Sequence, residues 1–152
     1  MKGLFYLISL LALTTTPATA AVISLQSAPL TQTNRECNGA VSPNSTPMTK
    51  SFGLVSLATT KIGPPQLVAV PALIGGKPNT AYNVRLIQIK NGQALNCGPC
   101  TTGGGTLTTN DKGTGSTSVQ QAVIPGATAA WVVLNEKAQC ANFYDIAPLP
   151  IA

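Results

Sequence analysis

The sequence predicts an all-β fold, a single antiparallel β-sandwich of about seven strands. Three observations lead to this prediction: apolar residues recur at every second position, turn-forming residues interrupt the chain at short intervals, and charged residues make up only 9% of the 152 residues. Alternation with a period of two is typical of a strand that has one face on a core. Exposed helix faces need more Glu and Lys than this chain contains, so we expect no large helical part.

The clearest alternation begins at Tyr82. Tyr82, Val84 and Leu86 are expected to face one side of a strand, and Asn83 and Arg85 the other side. One face of such a strand packs on the core, and the other face lies where polar side chains are accommodated.

Residues 129–134 are apolar at every position, which predicts a central strand covered on both sides. Six further segments are strand candidates: residues 22–26, 52–58, 66–70, 106–109, 116–121 and 143–146. Gly-Pro-Pro, Asn-Gly and Pro-Gly turn signals separate these segments, and such spacing is typical of a sandwich. Residues 26–50 have little periodicity and are expected to form a long loop cross-linked through Cys37.

The first twenty residues have the order of a secretory signal peptide. Lys2 is followed by a ten-residue apolar run at 4–13 and by the small-residue triplet Ala18-Thr19-Ala20. A membrane-spanning helix needs about twenty apolar residues, so a retained anchor is the weaker alternative. We therefore expect residues 1–20 to be removed and residues 21–152 to form one secreted, extracellular domain without a membrane span.

Parts of the second half resemble secreted immunoglobulin-like or fibronectin-like sandwich modules. The segments that carry the resemblance are residues 80–86 (TAYNVRL), 105–110 (GTLTTN) and 125–134 (PGATAAWVVL), within a region of roughly 80–146. The resemblance implies a β-sandwich that binds or spaces rather than catalyses. It assigns no functional role to individual residues, because a fold alone does not dictate a function.

The four cysteines are the candidate site residues, as disulfides. Cys37, Cys97, Cys100 and Cys140 form an even set in an exported chain, which predicts two disulfides with three possible pairings. Oxidising export usually consumes thiols, so we expect no metal site and no cofactor.

Cys97-Gly98-Pro99-Cys100 is identical to the active-site motif of thioredoxins, and a thiol–disulfide oxidoreductase that uses Cys97 and Cys100 is the alternative function. That chemistry needs a helix after the motif to lower the pKa of the first thiol. Here residues 101–106 contain three glycines and three threonines, which disfavour a helix. We expect a tight turn whose two cysteines either bridge each other or, by a slight preference, reach Cys37 and Cys140 separately.

The chain contains no histidine, which removes the common nucleophile-activating and metal-binding side chain. Among the four carboxylates no catalytic pair stands out. Asp111 and Glu136 are expected on the solvated surface, and Asp145 either faces solvent or accepts a hydrogen bond. We therefore do not expect an enzyme.

The aromatic residues are expected mostly in the core. Trp131, Tyr82, Phe52 and Phe143 lie in apolar strand patterns, and Tyr144, which is out of step with them, is the candidate for exposure on a sugar-binding surface. The sequon at Asn44 would matter only in a eukaryotic secretory route.

The net charge of +5 falls to +4 without Lys2, and the basic residues are scattered singly rather than clustered as nucleic-acid binding requires. The sequence thus predicts a secreted, non-catalytic interaction protein whose partner is an unknown extracellular protein or cell-surface polymer. A small cationic secreted effector or inhibitor is a further alternative.

Overall fold

The structure, a computed structural model, describes residues 22–151. The expected signal peptide at 1–20 lies outside the described residues. Within residues 22–151 all regular elements are β-strands, and no helix there is long and apolar enough to cross a membrane. The strands are β1 Val22–Pro29, β2 Gly53–Thr60, β3 Gln66–Leu73, β4 Ala81–Lys90, β5 Gln93–Ala94, β6 Gly105–Thr108, β7 Gly115–Ser116, β8 Val119–Ala122, β9 Ala129–Glu136, β10 Phe143–Asp145 and β11 Leu149–Pro150.

The strands form two antiparallel sheets, which confirms the all-β fold and is consistent with a sandwich. The first sheet has the order β1-β2-β3, and β7 and β8 both pair with β3. The second has the order β10-β9-β4, with β5 and β6 both on β4 and β11 on β9. Because β2 occupies the whole of one edge of β3, β7 and β8 share the other edge as one interrupted strand. In the same way, β5 and β6 share one edge of β4, and β10 and β11 share one edge of β9. The eleven described strands therefore occupy eight positions in the two sheets.

The core lies between the sheets and follows the predicted alternation. Tyr82 and Val84 on β4 are fully buried, and they meet Val55, Leu57 and Leu67 of the first sheet within one apolar cluster. Strand β9 is the central strand that its apolar sequence predicts, because it pairs with β4 on one edge and with β10 and β11 on the other.

The long N-terminal loop exists but begins later than expected. Strand β1 continues to Pro29, because residues 22–29 pair with β2 along most of its length. Residues 30–52 then form the loop. Cys37 ties it to Cys97, as expected for a disulfide-linked loop.

Tyr144 is buried, with 5% of its surface exposed, so the expectation of an exposed aromatic is wrong. Strand β10 pairs with β9 so that Tyr144 lies opposite Leu134, whose side chain is in the core. Its ring packs 4.9 Å from that of Phe52 and 5.7 Å from that of Tyr82, measured between centroids. Aromatic contacts of this kind stabilise a core, and they leave no exposed ring for a sugar.

Glu136 is also buried, with 3% exposed, and the expected solvated position is wrong. It ends β9 on the same alternation as Val132 and Leu134, which face the core. The carboxylate accepts hydrogen bonds from Lys77 Nζ at 2.9 Å and from Asn142 Nδ2 at 2.8 Å. These bonds, the Lys77 bond first, lower the pKa of Glu136.

Candidate functional site

The two cysteines of the Cys97-Gly98-Pro99-Cys100 motif are bonded to different partners. Cys97 pairs with Cys37, and Cys100 pairs with Cys140. Separate partners are what the sequence slightly favoured, although it did not predict which partner each cysteine has. All four cysteines lie in the described part of the chain, and none of them is free.

The motif forms a turn, which we call the strap, over residues 97–102. Gly98 has a φ of +69°, a conformation that glycine adopts without strain. The Thr102 N–H donates to the Pro99 carbonyl at 3.0 Å and closes the turn. A thioredoxin-type cycle breaks and re-forms a disulfide between the two cysteines of the motif. Here each motif cysteine is instead bonded to a cysteine of another loop.

The strap lies across the outer face of the second sheet, which we call the covered face. Asn83 Nδ2 on β4 donates to the carbonyl oxygens of Cys100 at 2.7 Å and Thr102 at 2.6 Å. Two residues further along β4, Arg85 Nη1 donates to the Gly98 carbonyl at 3.0 Å. The polar positions predicted for the non-core side of β4 therefore hold the strap in place.

The neighbouring strand contributes to the same network. Asn135 on β9 lies opposite Asn83. Its Oδ1 accepts a hydrogen bond from Arg85 Nε at 3.1 Å, and its Nδ2 donates to the Cys140 carbonyl at 3.0 Å. Three side chains thus satisfy the carbonyls of both loops that the Cys100–Cys140 disulfide joins. Connected hydrogen bonds of this kind favour one fixed arrangement of the strap.

The N-terminal loop covers the other end of this face. Trp131 Nε1 donates to the Cys37 carbonyl at 3.0 Å, and a side chain at Gly39 would collide with Pro148 beside the indole. Arg35 Nε donates to buried Asp145 Oδ1 at 3.1 Å. Burial raises the pKa of Asp145 to about 7, against the opposing effect of Arg35.

A cleft of about 180 Å³ opens beside the strap. Arg85, Asn96 and Gln121 line it with polar side chains, and Gly103 and Gly104 line it without any. Arg85 forms no ion pair within residues 22–151, and burial lowers the pKa of its guanidinium. An unneutralised, half-buried cation in a cleft is a candidate binding group.

The outer face of the first sheet, which we call the open face, has the opposite character. Leu25, Leu54, Val70 and Ile74 project from it with 71%, 47%, 40% and 60% of their surface exposed. Strands β1, β2, β3, β7 and β8 contain no charged residue at all. The outer edge of β1 has no paired strand within the described residues.

The remaining sequence-predicted positions form no site. Asp111 and Glu36 are exposed, and Asn44 of the sequon is exposed in the N-terminal loop. No group of three or more His, Cys, Asp or Glu side chains within residues 22–151 is arranged to hold a metal ion.

Sequence reasoning did not assign a role to Asn83, Arg85 or Asn135. The available signal was two polar positions that face away from the core on β4, opposite a strand that is apolar on both faces. That pattern indicates a second covering layer, but it does not say which loop supplies the layer. For Arg85 the sequence predicted a position on the non-core side of the strand but no binding partner.

No protein-family model, no curated protein and no solved structure matches the chain.

Proposed function

We propose that the chain is a secreted, non-catalytic binding domain that docks another extracellular protein on its open face. The single observation that carries this proposal is a sheet face that exposes Leu25, Leu54, Val70 and Ile74 without one charged side chain. Large apolar side chains exposed together on one uncharged sheet face are typical of interaction sites in soluble proteins.

The chemistry of the face favours a protein over an anionic cell-surface polymer. A polymer of that kind is attracted by Lys and Arg, and the first sheet has neither. The free edge of β1 offers a row of backbone donors and acceptors next to the apolar face. A partner with an extended, uncharged strand would extend the sheet there and bury its apolar side chains beside Leu25.

The strand connections support an immunoglobulin- or fibronectin-like topology for this domain. In that topology strands A, B and E are neighbours in one sheet and strands C, F and G in the other. The order β2-β3-β8 fits A-B-E, and β4-β9-β10 fits C-F-G, with the strands in the same sequence along the chain. Strand β1 would then be an addition at the outer edge, where it carries part of the open face.

Export is supported by the signal-peptide pattern and by the two disulfides, which are compatible with an oxidising environment. The alternative function, a thiol–disulfide oxidoreductase, predicts catalytic reduction of insulin, whereas a non-catalytic binding domain does not. We expect no free thiol in the native protein and no catalytic reduction of insulin, and rapid turnover in that assay would overturn the non-catalytic proposal.

Site-specific photo-cross-linking in the native extracellular fluid tests the docking proposal. A cross-linker at Leu25 should capture a protein, and one at Thr106, which is exposed on the second sheet, should not capture it. The captured protein is then purified and its affinity is measured for Leu54→Lys and for the matched control Thr106→Lys. We expect at least a tenfold loss for Leu54→Lys alone.

Equal capture at both positions, or equal affinity of both variants, would contradict the proposal. Cross-linking of Leu25 to a second copy of the chain would assign the open face to self-association and would overturn the assignment to a different protein.

A further inference from the structure

Arg85 uses only part of its hydrogen-bonding capacity on the fold. Nε donates to Asn135 Oδ1 at 3.1 Å and Nη1 donates to the Gly98 carbonyl at 3.0 Å. Nη2 forms no hydrogen bond to any of the residues that the structure describes. Because an arginine carries five N–H donors, both N–H groups of Nη2 and the second N–H of Nη1 are left for another acceptor.

The positive charge of Arg85 has no internal counterion. The chain has four side-chain carboxylates, all within the described residues. Asp145 pairs with Arg35 and Glu136 pairs with Lys77, while Glu36 and Asp111 are exposed and form no ion pair with Arg85. Burying part of an unpaired cation opposes folding, so an anion bound beside Arg85 would recover free energy.

The side-chain amide oxygens that line the cleft next to Arg85 already accept hydrogen bonds within the protein. The cleft therefore offers mainly N–H donors to a ligand. Gln121 Oε1 accepts from Gln88 Nε2 at 2.6 Å and from Asn96 Nδ2 at 3.2 Å. Asn96 Oδ1 accepts from the Gln88 backbone N–H at 2.7 Å. These bonds fix the orientation of Gln121, whose Nε2 has no acceptor among the described residues.

We propose that this cleft binds a carboxylate group between the guanidinium of Arg85 and Nε2 of Gln121. The planar guanidinium presents coplanar N–H groups, and such groups match the oxygens of a carboxylate. Gly103 and Gly104 contribute no side chain to the lining, and the cleft volume of about 180 Å³ admits an acetate-sized group. The site is separate from the open face, so its success or failure does not depend on the proposed docking function.

Titration of the ¹⁵N-labelled protein, residues 21–152, tests this inference by NMR. Acetate at constant ionic strength should shift the Gln121 side-chain amide and the Arg85 Nε–H resonances along saturable curves. Acetamide, its uncharged isostere, should not. Sulfate tests whether the site prefers a tetrahedral anion, and glucuronate and N-acetylglycine distinguish a sugar acid from a peptide carboxylate as the source of the group.

Gln121→Glu places a carboxylate in the cleft and should weaken acetate binding at least tenfold. Lys112→Gln removes an exposed cation from a distant turn and serves as the control, with unchanged binding. If Gln121→Glu does not fold, Arg85→Lys replaces it as the test variant. This substitution keeps the positive charge but removes the planar guanidinium, and we expect the same loss of acetate binding.

Linear shifts without saturation, equal shifts with acetamide, or equal losses in the control variant would overturn the proposal. Tighter binding of sulfate than of every carboxylate would overturn the choice of ligand.

Discussion

The covered face and the open face are the two outer surfaces of the same pair of sheets, and they differ in almost every respect. The covered face carries both disulfides, the buried Trp131 and the network of Asn83, Arg85 and Asn135. Residues 22–151 leave the large apolar side chains of the open face exposed, and Leu25 is 71% exposed. Cross-linked loops thus cover the face that has polar groups to hold them, while the uncharged face with its exposed apolar side chains is left accessible. This is the expected arrangement if the open face has a partner.

Loss of both disulfides should have the largest effect on stability. Their loops span 60 and 40 residues, and each closed loop contributes about 2–4 kcal/mol to the free energy of unfolding. We expect the variant with all four cysteines changed to serine to lose about 4–8 kcal/mol in urea denaturation. The double variants C37S/C97S and C100S/C140S should each lose roughly half. A four-serine variant as stable as the wild type would mean that the strap is held without cross-links.

A matched pair of isoleucines compares the two faces directly. Ile87 lies opposite Trp131 on the covered face with 1% of its surface exposed, whereas Ile74 at the end of the open face is 60% exposed. Because Ile87 is enclosed, Ile87→Ala should cost about 2–5 kcal/mol, and Ile74→Ala less than about 1 kcal/mol. Chemical denaturation measures both. Similar losses at the two positions would show that the open face is covered in solution.

The pH dependence of stability between about pH 4 and 7 should originate from the covered face. The folded-state pKa of Asp145 is raised from 3.8 to about 7, so in this range the folded state holds a proton that the unfolded state releases. The contribution of Asp145 to stability is therefore full below about pH 4 and decreases as pH rises to 7, with a slope of at most about 1.4 kcal/mol per pH unit.

Asp145→Asn should flatten this part of the pH profile, because an amide accepts the Arg35 hydrogen bond without titrating. Denaturation of both proteins across the range measures the difference. Glu136, whose pKa is lowered, acts in the opposite direction only below about its ordinary pKa of 4.5. An unchanged slope in the Asp145→Asn variant would contradict the assignment.

Polar substitutions on the open face should have the smallest effect on stability. Val70 is 40% exposed and lies opposite Ser56 in the middle of that face. We expect Val70→Thr to change the free energy of unfolding by less than about 0.5 kcal/mol. A loss of more than 1 kcal/mol would indicate that Val70 is buried by a second molecule under the conditions of the measurement.

The sheet-rich fold could be predicted from local signals, and so could the slight preference for separate partners of Cys97 and Cys100, but the choice of partner for each cysteine could not. Alternation placed Tyr82 and Val84 in the core, and the apolar run at 129–134 identified the central strand before any contact was known. The glycines after Cys100 disfavoured a helix and predicted a turn, in which separate partners were only slightly preferred over a bridge between Cys97 and Cys100.

Other features depend on contacts between residues far apart in the chain. Glu136 is buried because Lys77, 59 residues away, neutralises it, and no local pattern encodes that pair. Tyr144 lies in a strand of three residues, which is too short for alternation to fix its direction. The cleft beside Arg85 forms only when the strap, β4 and β8 come together, so a lone arginine in the sequence gave no indication of it.

The pairing of Cys97 and Cys100 with different partners divides the molecule into two covalent rings. One ring runs from Cys37 to Cys97 and the other from Cys100 to Cys140, and they are joined in series through Gly98 and Pro99. A single proteolytic cut inside either ring leaves the polypeptide in one piece until it is reduced. A cut at any of the three peptide bonds between Cys97 and Cys100 separates the two rings, and it would leave the two halves held together by non-covalent contacts alone.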